Sequence, residues 1–301
     1  MTTNITNLFQ IEYQKDVHHV FQRQGSFIKP TVRLKDSVVG SSAKFNKAGK
    51  GTATTKARHG QITPMNGTRT QVTATIEDWY AGDWVDDLDS AKHETDEKMT
   101  IAKAGAMALG RKCDELIITA LDGTSNSGTS WTLTSAATVE SSALTHCEDL
   151  WELDVMNDGE NYALVTPRCW SQMLKVTSFA SADFVGSDGL PFVSGPAIGP
   201  QKFKDWNGVK WQMHVGLTES FTGTSAGARK IYMYNKSAVG FAMQKHAKNI
   251  ASNPAVVASM QYYNTHEAWF INHLFSAGAV LIDDSGVIEQ SFADSTAIVT
   301  T

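Results

Sequence analysis

Hydrophobic and polar positions change period several times along the chain, and each change predicts an element. Asn4 to Gln24 carry Ile5, Leu8, Phe9, Tyr13, Val17, Val20 and Phe21 at helical intervals, an amphipathic stripe that Gly25 and Pro30 end. Then the period shortens. Phe27-Ile28, Val32, Leu34 and Val38-Val39 on the way out, with Val72, Ala74 and Ile76 on the way back, predict paired strands. The stretch from Phe27 to Ile76 has strand spacing but too little apolar surface to bury itself. A hairpin of roughly twenty residues a side would reach about 60 Å. A compact body of this length has a radius of gyration of only about 19 Å, so the hairpin is expected to protrude.

Ser90 to Leu121 reads as one long helix of about 48 Å at 1.5 Å per residue, acidic early, with Arg111 and Lys112 late and Gly123 as its stop. Met99, Ala102, Ala106, Leu109, Cys113, Leu116 and Ile117 give it a narrow apolar face rich in small residues, suited to close packing on a sheet. A strand is expected from Trp131 to Thr134, and Thr145-His146-Cys147-Glu148 fits a capping box opening a helix through Leu150, Leu153 and Met156. Asn157-Asp158-Gly159 ends that helix. Tyr162 to Val165 reads as a buried strand. Thr166-Pro167 starts a short helix through Trp170 and Leu174, and Ser178 to Pro200 reads as a long loop. Val209–Val215, Ile231–Tyr234, Val239–Met243, Val256–Tyr263, Ala268–Phe275 and Ala279–Ile282 complete a strand-rich second half. No internal repeat is present, which argues against a fibre or adhesin.

Charge adds a second pattern. From Ser37 to Ile76 there is no Asp or Glu, while Lys44, Lys47, Lys50, Lys56, Arg58 and Arg69 sit among small polar residues. The sign then reverses through Glu77, Asp78, Asp83, Asp86, Asp87, Asp89, Glu94, Asp96 and Glu97, with Lys92 the only Lys or Arg among them. A basic arm beside an acidic segment is the pattern of a subunit that grips its neighbours, with Asp83, Asp86, Asp87 and Asp89 as the expected receptors. A freely disordered basic tail is the plainer reading of such a composition. The strand spacing opposes it.

Composition limits the alternatives. With 301 residues, 42% of them hydrophobic, the chain can bury one large or two modest cores. A net charge of -5 argues against a dedicated nucleic-acid binder. The 3 cysteines, Cys113, Cys147 and Cys169, have no paired short spacing, so neither a disulfide framework nor a zinc site is expected, and a reducing cytoplasmic origin is. No secretory signal or run of about eighteen apolar residues supports membrane insertion.

Candidate chemistry is thin. Gly223-Thr224-Ser225-Ala226-Gly227 matches the G-x-S-x-G pattern of a serine hydrolase, but Ile231 to Tyr234 after it reads as a strand where that motif needs a helix. Lys47-Ala48-Gly49-Lys50-Gly51-Thr52 lacks the Ser/Thr after the lysine that a phosphate loop requires. His266 and His273 are spaced for opposite faces of a strand, and the acidic run lacks the positional pattern of a calcium loop. No catalytic residue, cofactor or metal is expected, and the chain is not expected to be an enzyme.

Three segments carry a resemblance. Lys204-Asp205-Trp206-Asn207-Gly208-Val209-Lys210-Trp211, Ser237-Ala238-Val239-Gly240-Phe241 and Ser276-Ala277-Gly278-Ala279-Val280-Leu281-Ile282-Asp283 resemble tailed-bacteriophage major capsid proteins in order and spacing. The resemblance implies an α+β fold of the Hong Kong ninety-seven type. It implies an N-terminal arm at 1–28, an extended β-hairpin E-loop at 29–77, a peripheral P-domain with a spine helix at 78–144 and 251–275, an axial A-domain at 145–250 and 276–292, and a tail at 293–301. It further implies a structural subunit that forms hexamers and pentamers of an icosahedral head assembled in the bacterial cytoplasm and enclosing double-stranded DNA without binding it specifically. Expected partners are further copies of the chain, a portal and either a separate scaffolding protein or none, since the chain begins almost at once with the arm; whether a decoration protein binds outside is left open. Encapsulin shells share the fold and are the nearest rival. Some relatives crosslink an E-loop lysine to a neighbour's asparagine; no asparagine or activating carboxylate stands out here, and non-covalent contacts are expected.

Overall fold

The computed structural model describes residues 25–90, 97–155, 158–181, 203–217, 228–244 and 256–293. In chain order its elements begin with β1 (Arg33–Val38), β2 (Ser42–Ala48), β3 (Arg69–Thr75), β4 (Glu77–Asp86), α1 (Asp87–Ser90) and α2 (Glu97–Leu121). There follow α3 (Ala136–Glu152), β5 (Asn161–Val165), α4 (Pro167–Met173), α5 (Thr177–Ala180), β6 (Lys204–Trp206), β7 (Val209–Met213) and β8 (Ala228–Asn235). The chain closes with β9 (Val239–Gln244), β10 (Val256–Tyr263), β11 (Ala268–Leu281) and β12 (Val287–Ala293).

One strand organises the first sheet. β11 runs for 14 residues where the sequence suggests two strands, because its inward alternation continues through Ser276 to Ala277, where pairing passes from β4 to β9. Its first part pairs antiparallel with β10 on one edge and β4 on the other; its last part pairs with β9, which carries β1 parallel on its far side. The second sheet has the order β12-β8-β5-β7-β6, and β2 and β3 form a separate two-stranded ladder.

The 25-residue helix α2 ties the two sheets together. Near its middle it lies on β11 so closely that a Cβ at Gly105 would meet the His273 ring at 2.5 Å. Lys112 and Lys98 lie 4.0 and 4.2 Å from the rings of Trp79 and Trp269 on that same face, cation–π contacts that let two charged side chains cover the sheet. Farther along, Leu109, Cys113, Ile117, Ile118 and Leu121 are buried, and Asp122 just beyond the helix accepts hydrogen bonds from Lys230 and Tyr232 of β8. The opposite face of the second sheet closes on an aromatic cluster around Trp211, whose ring centroid lies 5.8 to 6.5 Å from those of Trp206, Trp131 and Phe179.

Several expectations need correction. The outgoing limb of the hairpin is β2, not Phe27 to Val39: β1 is absorbed into the first sheet beside β9, leaving a ladder of 7 residues a side, about 23 Å long. Trp131 to Thr134 is not a strand, although Trp131 donates its N–H to Ser291 at the edge of β12. The capping box sits at Ser135 and Thr138, so Thr145 to Glu148 lie inside α3. The first residues of the expected Ser178 loop belong to α5; positions 182–200 lie outside the described residues, as do Asp89's side chain, the arm at 1–24 and the Gly223 to Gly227 motif. On α2, Ala106 is exposed rather than packed, and the close approach occurs at Gly105 and Gly110. By contrast, β10 begins and ends where the sequence places it, and α4 has Thr166 as its N-cap and Pro167 at its first position.

Candidate functional site

The hairpin is built from its foot outward. Phe45, Ala43, Ala74 and Ile76 form a small buried cluster with Val38, Ala242 and Ile282, which anchors the ladder to the first sheet. Phe45 reaches the sheet because Gly240 lacks a side chain; a Cβ there would stand 2.8 Å from the ring. Arg33 and Lys35 lie 5.9 Å from the centroid of that ring, and the Lys35 ammonium donates to the Lys44 carbonyl. Thr75 passes so near β11 that a Cβ at Gly278 would stand 1.9 Å from its carbonyl oxygen. The foot is therefore fixed by apolar burial and backbone proximity, and the basic residues are carried by it.

Those basic residues do not act alike. Lys47 Nζ lies 2.7 Å from Asp283 Oδ1, and Lys50 Nζ lies 2.5 Å from Asp154 Oδ2, both within the chain. The Lys50 ammonium holds the Asp154 carboxyl below its usual range. Lys44, Lys56, Arg58 and Arg69 make no ion pair with any described residue. Beyond Lys50 the chain leaves the ladder. Residues 51–70 are exposed throughout, including Ile62 at 76% and Met65 at 63%.

The acidic segment is also divided. Its first part is β4, where Tyr80, Gly82, Trp84 and Asp86 point to one face and Ala81, Asp83 and Val85 to the face that α2 covers. Asp83 and Asp86 therefore stand on opposite sides of one strand. Asp83 accepts the Trp84 N–H, Asp86 accepts the Leu88 N–H at the start of α1, and Asp87 lies within α1. The structure thus gathers the basic residues on one projecting hairpin but does not gather the acidic ones into one surface.

A site that sequence reasoning missed lies at the root of the arm. Asp114 of α2 is fully buried, accepts the N–H groups of Phe27 and Ile28 and the Ser26 hydroxyl, and touches His214 after β7. The available signal was a carboxylate inside the buried stripe between Cys113 and Ile117. Among the described residues no cluster of His, Cys, Asp and Glu has the arrangement of a metal site, and no helix is long and apolar enough to cross a membrane.

A projecting basic hairpin on a fixed foot, a long helix and two sheets is an arrangement that can be compared as a whole. A family model described as phage capsid protein matches residues 5–294. The chain belongs to the phage capsid protein family. No curated protein matches it by sequence. Among solved structures, the capsid of cyanophage P-SCSP1u superposes with a TM-score of 0.71 at 14% identity, covering 96% of this chain and 94% of that one. Mycobacterium phage Che8 gives 0.66 at 16% identity with 97% and 99% covered, and the capsid of Ralstonia phage GP4 gives 0.67 at 11% identity with 96% of each. The fold is the α+β phage major capsid fold that the resemblance implies, with its extended hairpin and spine helix. The chain is a major capsid protein, a structural shell subunit. Family membership places it in a virion capsid, and nothing in these matches favours the hydrolase or encapsulin readings.

Proposed function

We propose that this capsid protein assembles with copies of itself into hexamers and pentamers of an icosahedral tailed-phage head that encloses double-stranded DNA. The observation that carries the reading is the hairpin: a ladder with a buried foot, no acidic residue, and a tip whose Ile62 and Met65 stay largely exposed among the described residues. Its role is structural and involves no catalysis or cofactor. The domain divisions implied by the resemblance are retained, with β11 running across the division after Phe275. Assembly takes place in the host cytoplasm with a portal and a separate scaffolding protein, and the finished shell can accept a decoration protein.

In this reading Lys44, Lys56, Arg58 and Arg69 face the acidic segment of a neighbouring subunit, including Asp83, Asp86, Asp87 and Asp89, while Lys47 and Lys50 set the direction in which the hairpin leaves its own body. Exposed ion pairs contribute only about 0 to 1 kcal/mol each, so one reversal is tolerated and several together are not. Reversing Lys44, Lys56, Arg58 and Arg69 to Glu should leave a folded monomer that sediments slowly and closes no shells. Fast-sedimenting closed particles from that variant would rule out the charge-mediated contact. The same occupancy predicts that assembled shells retain DNA more weakly at low salt than free subunits do.

A further inference from the structure

Past the end of the β2–β3 ladder the two limbs of the hairpin stay in touch at two points. The Gly49 N–H donates to the Thr68 carbonyl at 2.7 Å, and the Met65 thioether lies against Gly51, where any Cβ would overlap it. Between those points Lys50 stands alone on one limb, and Asn66 and Gly67 stand together on the other. The returning limb therefore carries an extra residue, a bulge. Asn66 makes the bend with φ at +41°, in the left-handed region that Asn tolerates better than most residues. Both bulge residues are exposed, and a Cβ on Gly67 would approach only the Gly49 carbonyl, at 3.8 Å. Among the described residues neither the Asn66 carboxamide nor the Gly67 N–H has a hydrogen-bond partner.

Asn-Gly occurs once more in the sequence, at Asn207-Gly208. There the pair is the two-residue turn joining β6 to β7, closed by the Trp206–Val209 pairing, with φ at +52° and +73°. The Asn207 carboxamide is hydrogen-bonded to the Cys147 side chain. We propose that Asn66-Gly67 is a site of spontaneous deamidation through a succinimide, from which Asn207-Gly208 is protected by its turn. The Gly67 nitrogen, its proton lost to hydroxide, bonds to Cγ of Asn66; the Cγ–Nδ2 bond breaks, and the amide nitrogen leaves as ammonia with a proton from water. Water then opens the ring at either carbonyl and leaves aspartate or isoaspartate at 66. One water is consumed and one ammonia released, with no oxidation or reduction. The bulge supplies the backbone and side-chain freedom that ring closure needs. The product puts a carboxylate across from Lys50, in a stretch that has none from Ser37 to Ile76, and isoaspartate also lengthens the backbone by a methylene and so displaces the tip. Resting on the shell reading above, closed shells exclude subunits that carry isoaspartate, whereas the added charge alone is tolerated.

The test incubates free full-length subunits in mildly alkaline buffer and follows the two Asn-Gly peptides by mass spectrometry. Asn66 should convert to aspartate and isoaspartate about ten-fold or more faster than Asn207. In Gly67→Ala, whose methyl crowds the attacking nitrogen, conversion should slow about ten-fold or more while melting stays that of wild type. Intact Asn66, equal rates at the two sites, or an unchanged rate in Gly67→Ala would overturn the site. Aged subunits are then put through assembly. Isoaspartate should be depleted in closed shells relative to the unassembled pool, while Asn66→Asp closes as wild type does. Isoaspartate in equal proportion in both pools would overturn the exclusion and leave the site standing. Subunits that never close would overturn the shell reading and the exclusion with it, and the peptide masses would still decide the site.

Discussion

Asp114 Oδ2 lies 3.2 Å from Nε2 of His214, with both side chains sealed from solvent. The other oxygen, Oδ1, accepts the N–H groups of Phe27 and Ile28 and the hydroxyl of Ser26. One carboxylate thus joins the spine helix, the root of the N-terminal arm and the segment after β7. Removing one partner of a buried, hydrogen-bonded pair typically costs about 3 to 5 kcal/mol because the remaining polar groups stay buried and unpaired. Asp114→Ala should lose that much stability by urea denaturation and accumulate as insoluble protein, with Asp114→Asn intermediate. An unchanged midpoint for Asp114→Ala would mean that the arm root is held by other contacts.

Close packing of the spine helix can be separated from mere small-residue content. A Cβ at Gly110 would meet the Gly25 backbone at 2.7 Å, whereas Ala106 is exposed on the subunit. Gly110→Ala should lower stability by about 1 to 3 kcal/mol, the usual cost of overpacking. Ala106→Phe should melt like wild type.

At the hairpin foot the prediction is about position as well as stability. Gly278→Ala places a carbon 1.9 Å from the Thr75 carbonyl oxygen, so β3 must move for the variant to fold. We expect a stability loss of about 1 to 3 kcal/mol and a sharply reduced yield of closed shells. Gly67→Ala, whose added carbon would meet only the Gly49 carbonyl at 3.8 Å, serves as the control.

Acid should weaken the second sheet's core through His146. Burial lowers its pKa from 6.5 to about 3, opposed by the Ile288 backbone, so the folded protein holds this ring neutral. The unfolded chain takes up the proton first as pH falls. His146's contribution is therefore constant above about pH 6.5 and is lost below it, by up to about 1.4 kcal/mol per pH unit. Stability measured between pH 6.5 and 4 should fall less steeply in His146→Leu than in wild type.

Some of this architecture was legible in the sequence, for physical reasons. The apolar run Tyr162 to Val165 followed by Thr166-Pro167 identifies a buried strand and a capped helix without reference to anything distant. β4 was not legible, because its acidic residues interrupt the alternation of Trp79, Ala81 and Val85, and pairing with β11 is what makes it a strand. The start of α3 was missed because its capping box carries Thr138 in place of Glu or Gln. The basic character of the hairpin could be read from charge and its returning strand from the spacing of Val72, Ala74 and Ile76. Which lysines turn back on their own subunit could not, since Asp154 and Asp283 lie 104 and 236 residues from their partners.

The most direct test is electron cryomicroscopy of the purified chain under assembly conditions. We expect closed particles with six-fold and five-fold capsomers in which density for the hairpin tip beyond Gly51 extends from its own body onto an adjacent subunit. Monomers or open chains under all assembly conditions, or closed particles in which that tip packs on its own subunit, would contradict the proposed shell role.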